Sequence, residues 1–274
     1  MRPYPLALVL WFAMELAQAA TELPATPRAL AAAMAGHRVV LLGEVHDNGV
    51  QHALRAAALR ELVEKGDRPA IAFEQFDRDR QADIDRARRE RPRDIDYLIA
   101  QGGGAPSWRW EYYKPSVALA LEYDLPIVAA NLSRADAMKV AMGASEAAGE
   151  VSSELLRVHE DAIAKGHCNL LPTDALPGMA RAQIARDQTL ARAIVPFAPR
   201  GVVLLTGNGH VRKDVAVPHW LGPEVRAGAI SIALLEREDG DGAGELLDSY
   251  DAFVLTAPAE RPDPCEALRD AKAR

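Results

Sequence analysis

Four short, unbroken apolar runs constrain this chain more than any other feature: Arg38-to-Leu42, Ala70-to-Phe73, Pro126-to-Ala130 and Val202-to-Thr206. A strand with one wet face alternates apolar and polar residues, whereas these do not, so both faces of each must be covered. Between and after them lie amphipathic stretches at roughly 49–65, 77–100, 114–123, 133–165 and 174–197. Strand alternating with helix predicts an α/β fold with a mostly parallel central sheet and helices on both faces. Two more apolar runs, Ile230-to-Leu235 and Ala252-to-Thr256, flank a glycine-rich segment at 240–244. That pairing predicts an antiparallel hairpin at the sheet edge near the C-terminus. The stretch 133–200 is expected to form a helical insertion or lid within a single α/β domain spanning 20–274.

Residues 1–19 read as an export signal. Arg2 gives a minimal basic start, Leu6 to Met14 a nine-residue apolar core, and Ala17-Gln18-Ala19 a small-x-small cleavage pattern. Nine apolar residues fall short of the roughly 20 needed to span a bilayer, so no transmembrane span is expected in the mature protein. No Cys follows the small residues, which argues against a lipid anchor; the expected compartment is the periplasm. In an oxidising compartment Cys168 and Cys265 either pair or remain two free thiols. With 32 Lys and Arg against 39 Asp and Glu, the net charge of −7 excludes nucleic acid as an expected partner.

Each strand runs into a polar cluster: Gly43-Glu44-Val45-His46-Asp47, then Glu74-Gln75, then Asn131 with Arg134, then Gly207-Asn208-Gly209-His210. In open α/β sheets ligands bind outside the carboxyl ends of the strands, so these clusters converge on one edge. Glu44, His46, Glu74 and His210 make a two-carboxylate, two-imidazole set suited to a divalent transition metal. The same residues also suit a metal-free buried polar network, its carboxylates satisfied by Arg134 or Arg212. No phosphate-cradling loop, HExxH or GxSxG pattern occurs, which removes the commonest nucleotide and hydrolase signatures.

Aromatic residues form only 5% of the chain, yet Trp108, Trp110, Tyr112 and Tyr113 fall within six positions, just after three consecutive glycines. Such a cluster is either core packing or the slot for a flat apolar ligand, with a tyrosinate available to Fe(III).

Taken in order, GEVHD, FEQF, W-x-Y-Y-K-P, IVAANLSR, GHCNLLP, AQIARDQTLA and GNGHVRKDVAVP resemble the ChaN-like haem-binding uptake family over about residues 38–221. That family belongs with TraB, Tiki and erythromycin-esterase proteins. The resemblance implies an exported haem-binding protein for haem or iron uptake, forming a homodimer on haem binding. Superfamily relatives include metal-dependent proteases and esterases that use the positions of Glu44, His46, Glu74 and His210. Haem would then sit among Trp108, Trp110, Tyr112 and Tyr113, with Arg109 or Lys114 near its propionates. Tyr113 is the first choice of iron donor, and His46 or His210 would hydrogen-bond the tyrosinate. The competing expectations are a metal-dependent hydrolase with Glu44 as base, and a non-catalytic exported scaffold.

Overall fold

The computed structural model describes residues 19–237, 247–263, 265, 266, 268 and 269. In chain order the strands are β1 (Thr21–Glu22), β2 (Val39–Leu42), β3 (Ala70–Asp77), β4 (Ile127–Asn131), β5 (Val202–Leu205), β6 (Ala229–Glu236) and β7 (Ala252–Thr256). They form one sheet in the order β1-β7-β6-β2-β5-β3-β4, and every neighbouring pair is parallel. The apolar runs therefore occupy the positions their two-sided burial requires. Period-two alternation sorts their side chains between two cores. Val40, Leu42, Ile71, Phe73, Val203 and Leu205 face one layer, and Val39, Leu41, Ala70, Ala72, Val202 and Leu204 face the other.

The first layer holds α1 (Pro27–Met34), α2 (Gly49–Glu64), α3 (Gln81–Glu90), α4 (Ile95–Gln101) and α5 (Trp110–Glu122). Between β4 and β5 lie α6 (Arg134–Ala141), α7 (Ser153–Gly166) and α8 (Leu176–Ile194). The C-terminal half of α8 covers the sheet's second face through Leu190, Ala191, Ala193 and Ile194. Its N-terminal half packs Ile184 and Ala185 against Val140 of α6 and Leu155 of α7. A short α9 (Pro223–Ala227) leads into β6.

The antiparallel edge hairpin is corrected. β6 and β7 run parallel, in register from Ile232 beside Ala252 to Glu236 beside Thr256. Glycines in a turn-rich segment suggest a reversal, but pairing direction is set by where the chain re-enters the sheet. Asp251 donates its N–H to the Ser231 carbonyl at the start of β6, which brings the chain back to the amino edge. The connection 237–251 exceeds the roughly dozen residues that a parallel crossover needs; the glycine segment itself lies outside the described residues.

The other edge strand, β4, is closed by a side chain. Gln81 accepts from the Ala129 N–H at 2.7 Å and donates to the Ile127 carbonyl at 2.9 Å. One amide thus occupies the donor and acceptor that an incoming strand would use.

Candidate functional site at the carboxyl edge

The loops after β2, β3 and β5 meet where two glycines allow close approach. A Cβ on Gly43 would lie 2.4 Å from Asn208 Oδ1, and one on Gly207 would lie 2.8 Å from the His46 ring. The β2 and β5 loops therefore interlock only because both positions lack a side chain. Glu44, buried at the end of β2, places Oε1 2.6 Å from His46 Nδ1 and Oε2 2.6 Å from His52 Nε2. His52 aims that nitrogen at the His46 carbonyl, 3.1 Å away, so its approach to Glu44 is a close contact rather than an aligned hydrogen bond. Arg55 donates to His52 Nδ1 at 3.1 Å and to the Leu42 carbonyl at 3.2 Å, which leaves Nε2 as the protonated nitrogen of His52.

Burial alone would raise the Glu44 pKa. The Arg55 charge, the bond from His46 and the close approach of His52 outweigh it and hold the carboxyl at about 2. His46 is opposed by burial too, yet its bond to Glu44 and the nearby Glu74 charge raise its pKa above the ordinary value. Of the charged cluster, His46 is the member that reaches solvent, its side chain 48% exposed while that of Glu44 is fully buried.

Glu74, in the carboxyl half of β3, accepts from Thr206 Oγ1 at 2.7 Å and the Gly207 N–H at 2.9 Å. Its other oxygen lies 3.5 Å from His210 Nε2. Asp187 of α8 meets His210 Nδ1 at 2.6 Å, while Gln183, one turn earlier, lies 3.2 Å from Nε2. Burial would lower the His210 pKa, but Asp187 and Glu74 overcome it and raise it to about 10. His210 is therefore a buried imidazolium clamped between two carboxylates. The charge on His210, its bond and the Thr206 bond in turn keep Glu74 below the usual carboxylate range against its own burial.

The four expected metal-set residues are thus brought to one edge, but their donors are engaged as two ion pairs, Glu44–His46 and Glu74–His210. Among the described residues no group of three or more His, Cys, Asp or Glu side chains is placed to hold a metal ion. The expected network partners are replaced as well: Arg212 pairs with Asp214 at 2.6 Å, Arg134 is exposed, and Arg55 is the cation at Glu44.

The aromatic segment is not one loop. Helix α5 begins at Trp110, and helical spacing turns Trp110, Tyr113 and Val117 toward the core. Tyr113 is 1% exposed and donates its hydroxyl to Glu44 Oε1 at 3.2 Å. Burial, then the Glu44 charge, push its phenol well above the ordinary tyrosine range. A buried phenol that keeps its proton and donates a hydrogen bond to a carboxylate does not fit the expected role of iron donor. Tyr112, less buried, also packs on His52, stacked with ring centroids 4.8 Å apart, and sets its ring against Gly49. Trp108, before the helix, sets its edge against the His46 ring at 5.0 Å. Arg109 is exposed and reaches the Tyr112 hydroxyl at 3.4 Å, whereas Lys114 is held by Asp96 at 2.6 Å. His52, Arg55, Gln183 and Asp187 belong to the site without having been expected from the sequence. Their signal was a polar residue at a core-facing position of an otherwise apolar helix face.

The C-terminal segment crosses beside this loop. Asn48 donates to the Ala257 carbonyl at 2.9 Å, and Arg261 pairs with Asp47 at 2.9 Å and with Glu236. Cys265 then bonds Cys168 just beyond α7, with Cα atoms 5.7 Å apart, so the two cysteines are paired rather than free.

A doubly covered parallel sheet with a histidine–carboxylate cluster and an aromatic rim at its carboxyl edge defines an α/β protein whose polar site lies at the strands' carboxyl ends. The chain belongs to the family of haem-binding uptake proteins of the Tiki superfamily, ChaN, whose model matches residues 30–221. Its structure is similar to that of ChaN of Campylobacter jejuni, described as binding haem cofacially, with a TM-score of 0.67 at 21% identity. The match covers 81% of this chain and 88% of that one, which establishes a shared fold. An erythromycin esterase, EreC, aligns at 14% identity with a TM-score of 0.47, over 78% of this chain and 75% of that one. No curated protein sequence matches the chain. Among the described residues no helix is long and apolar enough to cross a membrane.

Proposed function

We propose that this protein is an exported haem-binding protein serving haem or iron uptake. The observation that carries this reading, beside family membership, is the accessible rim formed by His46, Trp108, Tyr112 and Arg109. A haem needs a flat apolar contact, a donor to iron and a cation near its propionates. Trp108 supplies the first, Tyr112 or His46 the second, and Arg109 the third. Tyr113, Trp110 and His210 act behind this rim, fixing the Glu44 and Glu74 carboxylates and the helix that presents Tyr112. The rim is open rather than enclosed, which suits a ligand covered from its far side by a second copy carrying its own haem. Export is supported by the N-terminal signal pattern and by the Cys168–Cys265 bond, since disulfides persist in oxidising compartments.

The test is a haem titration of the mature protein with Soret absorbance and sizing. Tyr112→Phe and His46→Ala are expected to weaken binding at least tenfold or to change the spectrum, and haem to shift the protein toward dimer. Identical spectra and affinities in wild type and both variants would remove the rim as the haem site. N-terminal sequencing of exported protein checks cleavage after residue 19.

A metal-dependent hydrolase is the second reading, favoured by one observation: Glu44, held ionised, orients His46 through Nδ1, as a carboxylate orients a general base. A metal would have to displace the present ion pairs. Metal analysis, with ester hydrolysis by wild type and His46→Ala in zinc or manganese, separates this reading from the first.

A further inference from the structure

The opposite, amino edge of the sheet carries a feature that haem binding does not explain. Strands β2, β5 and β3 are neighbours there, with Val202 beside both Val39 and Ala70. Arg38 immediately precedes β2, and Arg200 and Arg68 stand two residues before β5 and β3. These three arginines, with His37, line one cleft of about 200 Å³, the Arg68 guanidinium lying over the Tyr123 ring. Among the described residues Asp67 is the cleft's one acidic lining residue, and no carboxylate lies within ion-pair distance of any of the three arginines. A chain with 39 acidic and 32 basic side chains has thus gathered three arginines against one aspartate at one place.

Helix termini account for part of the arrangement. Arg68 donates to the Val63 carbonyl at 2.6 Å at the end of α2, where a cation complements the helix dipole. Arg200 donates to the Arg68 carbonyl at 3.1 Å. These bonds hold two arginines in place but supply no anion. Arg38 differs: its aliphatic stem lies against Gly228, and its guanidinium has no hydrogen-bond partner among the described residues. Pro69 and Pro199, adjacent to Arg68 and Arg200, fix the backbone from which two of the three project. The cleft's volume corresponds to roughly six or seven water molecules. That suits a small oxyanion and falls below the roughly 300–1,000 Å³ of a drug-sized or cofactor pocket.

We infer that this cleft binds a phosphate group, with Arg38 and Arg200 as its principal donors and Arg68 anchoring the wall. Guanidinium forks match phosphate oxygens in pairs, and no other charged group at this edge uses them. The phosphate is either free in solution or the headgroup of an anionic lipid.

Inorganic phosphate is titrated calorimetrically into the full-length mature protein at constant ionic strength, with chloride as control, and phosphatidate vesicles are tested by co-sedimentation against phosphatidylcholine vesicles. Arg38→Ala, which touches no backbone bond, is the first variant; Arg38→Ala with Arg200→Ala is the second. Saturable phosphate binding that weakens at least tenfold in Arg38→Ala establishes the site for the free anion. Arginine-dependent sedimentation with phosphatidate alone places the phosphate on lipid. Equal affinity in wild type and both variants, heats matched by chloride, or no binding to either probe overturns the inference. Haem titration of the same variants gives an unchanged Soret response, so the outcome is independent of the haem site.

Discussion

Glu44 and His46 meet at 2.6 Å across a single intervening residue, the carboxylate fully buried and the imidazole half in solvent. The pair connects the interior charge cluster to the surface through one ring. Its energetics follow from the order of the opposing effects: burial alone would neutralise Glu44, yet Arg55, His46 and His52 together keep it ionised.

Stability should fall at acid pH for this reason. The folded-state pKa of Glu44, about 2, lies below its ordinary 4.5, so its contribution is present above about pH 4.5 and is lost as pH falls through 2. Glu44→Gln leaves Arg55 buried without its carboxylate and is expected to cost about 3–5 kcal/mol at pH 7. It should also flatten the acid limb of stability against pH. Urea unfolding between pH 2 and 7 checks both, and an acid limb as steep in the variant as in wild type would show that other carboxylates set it.

His210 gives the opposite slope. Its folded-state pKa, about 10, lies above the ordinary 6.5, so the stability it contributes is fully present below about pH 6.5 and is lost as pH rises through 10. Removing one of the two clamping carboxylates with Asp187→Asn is expected to lower the His210 pKa and reduce the alkaline loss. The ring-proton resonances of His210, followed by NMR from pH 6 to 11, report this directly. A midpoint unmoved in the variant would assign the clamp to Glu74 alone.

Much of this architecture was legible in the sequence because both-sided burial leaves a plain pattern. Val39–Leu42 and Val202–Leu205 are apolar at every position and lie where the runs predict. Glu44, His46, Glu74 and His210 share an edge because each follows such a run. What escaped was non-local. His52 and Arg55 share the inward face of α2 with Leu59 and Leu62, and Asp187 sits among Ile184, Leu190 and Ala191. A charge at such a position is a signal, but its partner on another element has no local trace. The direction of β7 escaped for the same reason, and Tyr113 because the start of α5 decides which of two adjacent tyrosines is buried.

Gly207→Ala should disturb His46 selectively. The added methyl would sit 2.8 Å from the ring, closer than real contacts allow, so the His46 ring must shift to admit it. We expect a stability loss of about 1–3 kcal/mol, the usual cost of overpacking. Haem affinity should drop more than in a surface control such as Glu64→Gln. Retained affinity with full stability would show that His46 can swing clear of its present position.

Tyr113→Phe separates the two adjacent tyrosines. The lost hydroxyl donates to buried Glu44, so its removal is expected to cost about 1 kcal/mol. The Soret spectrum should stay that of wild type, because the phenol is behind the rim. Titration beside Tyr112→Phe provides the contrast; a spectral change confined to Tyr113→Phe would return the iron-donor role to the buried residue.

The disulfide should matter to the site as well as to the fold. Cys168 and Cys265 are 97 residues apart in sequence, and closing so long a loop typically stabilises a protein by about 2–4 kcal/mol. Between β7 and Cys265 the chain carries Arg261, which holds Asp47 next to His46, and Ala257, which accepts from Asn48 at the start of α2. Cys265→Ser is therefore expected to lower the melting temperature by several degrees and to expose the segment 257–265 to limited proteolysis. Because Arg261 still pairs with Glu236, local order at Asp47 should weaken rather than vanish. Arg261→Ala in the intact disulfide form is expected to affect haem affinity with little change in melting temperature, since it touches the loop but not the covalent link. Equal proteolysis of wild type and Cys265→Ser would show that the ion pairs, and not the disulfide, hold the tail across the carboxyl edge.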